Sequence, residues 1–185
     1  MELRDKNGLT EREFLASYNP DKYPKPSVTA DVAIFVHSGE QWQLLLIRRG
    51  GHPYLGRLAL PGGFANQNER LEDTAARELM EETGITGISM VPVGVFSKPG
   101  RDPRGWVVTS AYAAVVEGKA LRAQAADDAA DAQWYPVSYD RKSDTVTLVC
   151  GGEQITLTGG KANPTDALAF DHEEIIAEAV RKVFP

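Results

Sequence analysis

Three glutamates, Glu78, Glu81 and Glu82, stand close together in a stretch with helical spacing. At 3.6 residues per turn Glu78 and Glu82 share a face, and Glu81 flanks it. Carboxylates three and four residues apart repel by a few tenths of a kcal/mol per pair, roughly 0.2–0.5. They also lie near the C-terminal end of the helix, where its dipole disfavours anions. Stability alone would not place them there. A divalent cation resolves the conflict, because oxygen ligands gathered on one point are what Mg²⁺ or Mn²⁺ requires. Acidic helix faces are more often simply solvated, so the surroundings decide. Gly62 and Gly63 precede the helix, where missing side chains let backbone approach a ligand and present carbonyls to a cation. Glu69 and Arg77 are eight residues apart, near two turns, placed to pair along the helix and hold the glutamates in register. As an exposed pair they would contribute under about 1 kcal/mol. The chemistry such a set supports is metal-assisted activation of water beside a polyanionic guest.

The elements that must position these groups follow from periodicity. Thr10-Glu11-Arg12-Glu13 has the pattern of a capping box opening a short helix to about Ser17, and a Pro-rich loop runs on to Pro26. Val28 to His37 and Trp42 to Arg48 read as paired strands. Leu58-Ala59-Leu60 reads as a short strand broken by Pro61-Gly62-Gly63. From Arg70 to Glu82 the period becomes helical, with Leu71, Thr74, Ala75, Leu79 and Met80 near one stripe and Gly84 ending the helix. Further strands are predicted at Val91 to Ser97, Trp106 to Val116 and Ala132 to Val137, and a hairpin at Asp144 to Thr158 around Gly151-Gly152. A last helix runs from Asp171, as its cap, to Val183, with Glu174 at the capping-box position. Strands dominate and helices punctuate them, predicting an α/β (α+β) arrangement, a mixed sheet sandwiched between helices.

Bulk properties narrow the class. The 185 residues fit one domain, 1–185, with a core over about 27–137 plus the helix 171–183 and a hairpin insertion over about 140–165. Apolar and charged fractions of 42% and 25% are ordinary for a globular chain. The net charge of −6 speaks against a nucleic-acid partner, yet permits an anionic small substrate held through a cation. Cys150 is the sole cysteine, so intrachain disulfides and Cys-based zinc sites are excluded, and its apolar setting reads as packing. No 18-residue apolar stretch occurs and none follows the charged N-terminus, so neither a membrane span nor a leader is expected and a cytoplasmic location is.

With the residues laid out, the segment Gly63 to Ile85 resembles the Nudix box. That 23-residue pattern has Gly first, Glu after five residues, Arg-Glu after seven more, then apolar, any, Glu-Glu, any, Gly, apolar. Gly63, Glu69, Arg77, Glu78, Leu79, Glu81, Glu82, Gly84 and Ile85 meet every fixed position. Seven invariant letters at about 7% usage each would match by chance in roughly one chain per million of this length, so the match is specific. Leu60-Pro61-Gly62 is similar to the family's entry to the box, although Leu58 stands where a Trp is usual. The resemblance implies the Nudix fold and Mg²⁺- (or Mn²⁺-) dependent hydrolysis of a phosphoric anhydride in a nucleoside diphosphate derivative. It implies metal binding by Glu78, Glu81 and Glu82 with a carbonyl of Gly62 or Gly63, Arg77 orienting the carboxylates and Glu69 holding Arg77. The base is implied to be a box glutamate or an acid in a later loop, for which Asp127, Asp128 and Asp131 are the candidates, Asp128 foremost.

Substrate choice lies outside the box. Ser97 to Gly105, with Pro99 fifteen residues after Gly84, resembles the loop of ADP-ribose pyrophosphatases. Arg101 and Arg104 are expected to contact phosphate, as are Arg48 and Arg49 at a strand end, and Pro99 is expected to border the substrate. Leu168 to His172 resembles the same enzymes' C-terminal pattern, and there Asp171 and His172 read as helix cap and packing. Trp42, Phe96, Trp106 and Tyr112 read as core, His37 as a strand-end surface residue and His52 as a loop residue. The expected substrate is ADP-ribose or a related nucleoside diphosphate sugar. The alternatives are a sanitising nucleoside triphosphate pyrophosphohydrolase and a non-catalytic ADP-ribose-sensing regulator. Regulators of that kind usually carry a winged helix and often an eroded box, whereas this box is intact. The hairpin is expected to shape either a dimer contact or a rim of the site, and a homodimer stays open.

Overall fold

The computed structural model describes residues 2–117 and 129–184. Helix α1 (Glu11–Ser17) starts from the expected capping box, with the Thr10 hydroxyl accepting from Glu13 N–H and the Glu13 carboxylate accepting from Thr10 N–H. Strands β1 (Ser27–Ser38) and β2 (Gln41–Arg49) form an antiparallel pair; β3 (Leu58–Ala59) and β4 (Gly62–Phe64) lead into α2 (Leu71–Thr83). After β5 (Val91–Phe96), β6 (Val107–Glu117) and β7 (Ala129–Asp140) come β8 (Thr145–Cys150), β9 (Glu153–Thr158), β10 (Lys161–Asn163) and α3 (His172–Val183).

One mixed sheet joins these strands in the order β10-β9-β8-β7-β2-β1-β6-β5, with β1 and β6 parallel. β1 is the central strand, and its alternation serves both faces. Ala30, Val32 and Ile34 pack with Ala75 and Leu79 of α2, whereas Ala33 and Phe35 pack with Ile175, Ile176 and Val180 of α3. The sheet is thus sandwiched between helices, as expected. α3 presents that apolar face because Ile175, Ile176, Ala179 and Val180 recur at helical spacing. Met80, expected on the apolar stripe of α2, is exposed instead.

Three details differ from the expected elements. Gly62–Phe64 is not a break but a strand, paired with Thr29–Asp31 of β1. The segment after the hairpin adds β10, and β8, β9 and β10 continue the main sheet outward from β7. Their Val146, Leu148, Ile155 and Leu157 join the core under α3, so this region is covered rather than protruding.

The strand pairing also opens the site. β1 pairs with β2 only at its C-terminal end, over Phe35–Ser38, while its N-terminal half pairs with β4. β2 at Ile47 and Arg48 pairs instead with β3. The two central strands diverge, and the β3–β4 segment spans the gap, fastened by Val32 N–H to Pro61 C=O at 2.9 Å. Among the described residues no helix is long and apolar enough to cross a membrane.

Candidate active site

A cavity of about 370 Å³ sits where the strands diverge. Its walls come from Asp31, Arg49, Gly62, Gly63, Glu78, Glu82, Arg101, Arg104, Phe170 and His172, among others.

α2 supplies the acidic wall. The helix buries Thr74, Ala75 and Leu79, which turns Glu78 and Glu82 toward β4. Glu82 accepts a hydrogen bond from Gly62 N–H at 2.9 Å, and burial pushes its carboxyl up to about 8. Burial likewise raises Glu78. Gly63 has a concrete reason to lack a side chain: a Cβ there would lie 2.5–2.6 Å from the Glu78 carboxylate. At Gly62 a Cβ would strike the Ala30 carbonyl and the Asp31 backbone.

Arg77 is the hub of the helix. Its Nε and Nη2 bind Glu69 at 2.8 and 3.1 Å, its Nη1 binds Glu78 at 2.6 Å and Glu81 at 2.9 Å, and Nη2 also reaches the Phe64 carbonyl at 3.0 Å. Each N–H of the guanidinium fork has a partner. The Glu69 pair was expected to be exposed, yet the two side chains keep only 24% and 16% of their exposure, so the pair is more than a screened surface contact. Hydrogen bonds from Arg77, from Asn66 N–H and from Thr74 hold the Glu69 carboxyl down at about 2. Like charge on Glu78 and Glu81 is thereby offset by one shared cation. Among the described residues, no three His, Cys, Asp or Glu side chains surround one point. Glu78 and Glu82 nonetheless bring hard oxygen donors to the same cavity, and Glu81 sits beside them through Arg77.

The opposite wall departs from expectation. Arg101 is buried, bound in bidentate fashion to Asp171 at 2.8 and 2.6 Å, so its guanidinium holds the loop to α3. Asp171 stands at the N-cap of α3 but makes no side-chain capping bond; its carboxylate is engaged with Arg101 instead. Arg104 does line the cavity, bound to Asp102 at 2.7 Å, with its guanidinium over Phe64 at 4.8 Å and Phe170 at 5.3 Å. Pro99 is exposed and off the lining, two residues before Arg101.

Alternation on β2 separates the paired arginines. Arg49 lines the site, whereas Arg48 donates to the Gly56 carbonyl at 2.7 Å and lines a different cavity with Arg57 and Tyr135. Asp131 is not in a loop: it lies on β7 opposite Arg48, hydrogen-bonded to Gln133 and away from the cavity. Asp127 and Asp128 lie outside the described residues. Trp42 packs on Phe184 as core, but Trp106 is 58% exposed, just before β6. Burial pushes the Cys150 thiol up to about 11, which suits packing rather than nucleophilic attack. His52, the expected loop residue, is on the cavity lining.

Two residues form the floor, Asp31, which the sequence reading did not mark, and His172, which was expected as packing and lines the cavity. Asp31 is buried with Oδ2 accepting from Thr109 Oγ1 at 2.6 Å, and His172 is buried with Nδ1 accepting from Leu60 N–H at 2.8 Å. Asp31 had a usable signal, a lone carboxylate inside the apolar run Val28 to Val36.

The model of the NUDIX domain matches residues 26–139, a span holding the forked strands and the whole acidic helix. The chain belongs to the NUDIX family. Its NUDIX relatives include the ADPR responsive transcriptional repressor NtrR of Acinetobacter baylyi, 36% identical over 179 residues, covering 96% of this chain and 62% of the repressor. An ADP-ribose pyrophosphatase of Methanocaldococcus jannaschii is 33% identical over 159 residues, covering 86% of this chain and 76% of the pyrophosphatase. The chain therefore spans less than two thirds of the repressor's length. Among solved structures, the NUDIX domain of Shewanella oneidensis NrtR complexed with ADP ribose superposes with a TM-score of 0.71 at 30% identity, covering 95% of this chain and 99% of that one.

Proposed function

We propose that this NUDIX chain is a Mg²⁺-dependent hydrolase that cleaves the phosphoric anhydride of ADP-ribose or a closely related nucleoside diphosphate sugar, giving a nucleotide and a sugar phosphate. The observation that carries the reading is the joining of Glu78 and Glu82 to one cavity wall, with Gly63 pared back to admit the Glu78 carboxylate. Similarity to an ADP-ribose pyrophosphatase and to a NUDIX domain complexed with ADP ribose supports the substrate class.

Glu78 and Glu82 hold the metal, with Glu81 and the Gly63 carbonyl as further oxygen donors. Bound Mg²⁺ supplies neutralisation of diphosphate charge and acidification of an attacking water. Arg77 holds Glu78 and Glu81 on one guanidinium nitrogen, and Glu69 keeps Arg77 in place. A carboxylate accepts the proton from water, either Glu81 or Asp128 of the segment between β6 and β7. Arg49 and Arg104 face the cavity as cations suited to a diphosphate, whereas Arg48 lies on another cavity and Arg101 is engaged with Asp171. A cytoplasmic setting suits this substrate.

The similarity to a repressor favours one second reading, a sensor that binds ADP-ribose and regulates through DNA. A turnover screen with Mg²⁺ over ADP-ribose, other diphosphate sugars, dinucleotides and triphosphates, with products identified, tests the first reading. Tight ADP-ribose binding with no product, together with a retarded DNA band in a mobility-shift assay, would establish the second in its place.

A further inference from the structure

We propose that His172 and Asp31, on the cavity floor, act as a donor–acceptor pair that reads a hydroxyl of the substrate's sugar, an inference that rests on this cavity being the substrate site. The His172 ring is oriented by the backbone. Its Nδ1 accepts from Leu60 N–H at 2.8 Å, so the proton of the neutral imidazole is on Nε2. Burial lowers the affinity of this ring for a second proton, which keeps it neutral.

Nε2 lies 3.8 Å from Asp31 Oδ1, too far for a direct hydrogen bond and too near for an atom in line between them, so an oxygen that bonds both sits to one side, in the cavity. The other carboxylate oxygen is already taken, accepting from Thr109 Oγ1 at 2.6 Å, with Arg101 Nη2 3.8 Å away as counter-charge. Both residues line the cavity that also holds Glu78 and Glu82.

A group that bridges the two from the cavity must accept from Nε2–H and donate to Oδ1. A hydroxyl does both. A phosphate oxygen only accepts, and it would meet the Asp31 carboxylate with like charge. The pair therefore suits a hydroxyl better than a phosphate oxygen, and the hydroxyl proposed is that of the distal sugar, which ADP-ribose carries and ADP lacks. A site that hydrogen-bonds a hydroxyl discriminates strongly, because its polar groups are left unpaired when the hydroxyl is missing.

Two substitutions separate the two nitrogens. In His172→Asn the amide oxygen takes the place of Nδ1 and preserves the Leu60 contact, but no donor reaches the Nε2 position. In His172→Gln the amide nitrogen reaches the Nε2 position, but Leu60 N–H loses its acceptor. The measurements are KM for ADP-ribose and the inhibition constant of ADP in the Mg²⁺ turnover assay, with melting temperatures alongside. For His172→Asn the expected result is near-parental melting and a KM for ADP-ribose raised about ten- to a hundredfold, with ADP inhibition unchanged. For His172→Gln melting falls, while KM stays closer to the parent. An unchanged KM in folded His172→Asn, or equal weakening of ADP-ribose and ADP, would overturn the proposal. Absence of product from the parent protein would count against the hydrolase reading alone. Calorimetric affinities for the same two ligands then decide the hydroxyl contact, and a parent that binds ADP-ribose no better than ADP overturns it.

Discussion

The carboxylate of Glu78 rests where a side chain on Gly63 would stand, 2.5–2.6 Å from the position of the missing Cβ. Strand and helix are brought to this distance by β4 pairing with β1 and by α2 packing on the same sheet face. The first residue of the NUDIX box is thus tied to Glu78, the first glutamate proposed to bind metal, by excluded volume.

Gly63→Ala is expected to displace the Glu78 side chain while leaving the fold standing, because the atoms met are the flexible end of a side chain. Mn²⁺ affinity and kcat/KM should fall at least about tenfold with little change in melting temperature. Gly62→Ala meets backbone instead and should lower stability by about 1–3 kcal/mol in a denaturant titration. Equal effects from the two substitutions would contradict this division.

Arg77→Lys keeps the charge but loses the fork that reaches Glu69, Glu78, Glu81 and the Phe64 carbonyl together. Stability should drop by about 1–3 kcal/mol, with a larger loss in kcat than in KM. Parental kinetics in the lysine variant would show that one point charge near the glutamates is enough.

Asp171→Ala leaves Arg101 buried without its partner, and breaking such a pair costs about 3–5 kcal/mol. Chemical denaturation measures it directly. A change under about 1 kcal/mol would mean that Asp31 takes over the guanidinium.

The raised pKa of Glu82, about 8 in the metal-free fold, makes stability depend on pH. Between the ordinary carboxyl value of 4.5 and about 8 the folded chain binds more protons here than the unfolded one, so stability falls as pH rises through this window. His172 works in the opposite sense, but only below its ordinary value of 6.5, and Glu69 acts only in acid. The melting temperature of metal-free protein should therefore decline from pH 7 to 8, and Glu82→Gln should flatten the decline. Saturating Mg²⁺ should raise the melting temperature, most at the alkaline end, by binding the ionised form. A metal-free melting temperature that climbs over that interval would be the opposite result.

The acidic helix was legible because its geometry is local: Glu78, Glu82 and Arg77 are placed by turns of one helix. The sandwich was legible from the change of period at Arg70, and the hairpin from Gly151-Gly152. The floor was not, since Leu60 and His172 are 112 residues apart and meet only through the folded sheet. Arg48 and Arg49 are neighbours in sequence, and only the path of β2, with its irregularity against β7 at that point, decides which enters the cavity. Arg101 has the chemistry of a phosphate ligand, but Asp171 from α3 claims it. Gly62–Phe64 formed a strand because β1 leaves β2 and offers it an edge.

Turnover of ADP-ribose by parent and Glu82→Gln protein at saturating Mg²⁺, with products identified by mass and folding matched by circular dichroism, bears on the central claim most directly. The expected result is a nucleotide and a sugar phosphate from the parent, and a rate lower by about a hundredfold or more in the variant. An undiminished rate in well-folded Glu82→Gln, or a parent that leaves ADP-ribose and its diphosphate-sugar relatives intact, would contradict it.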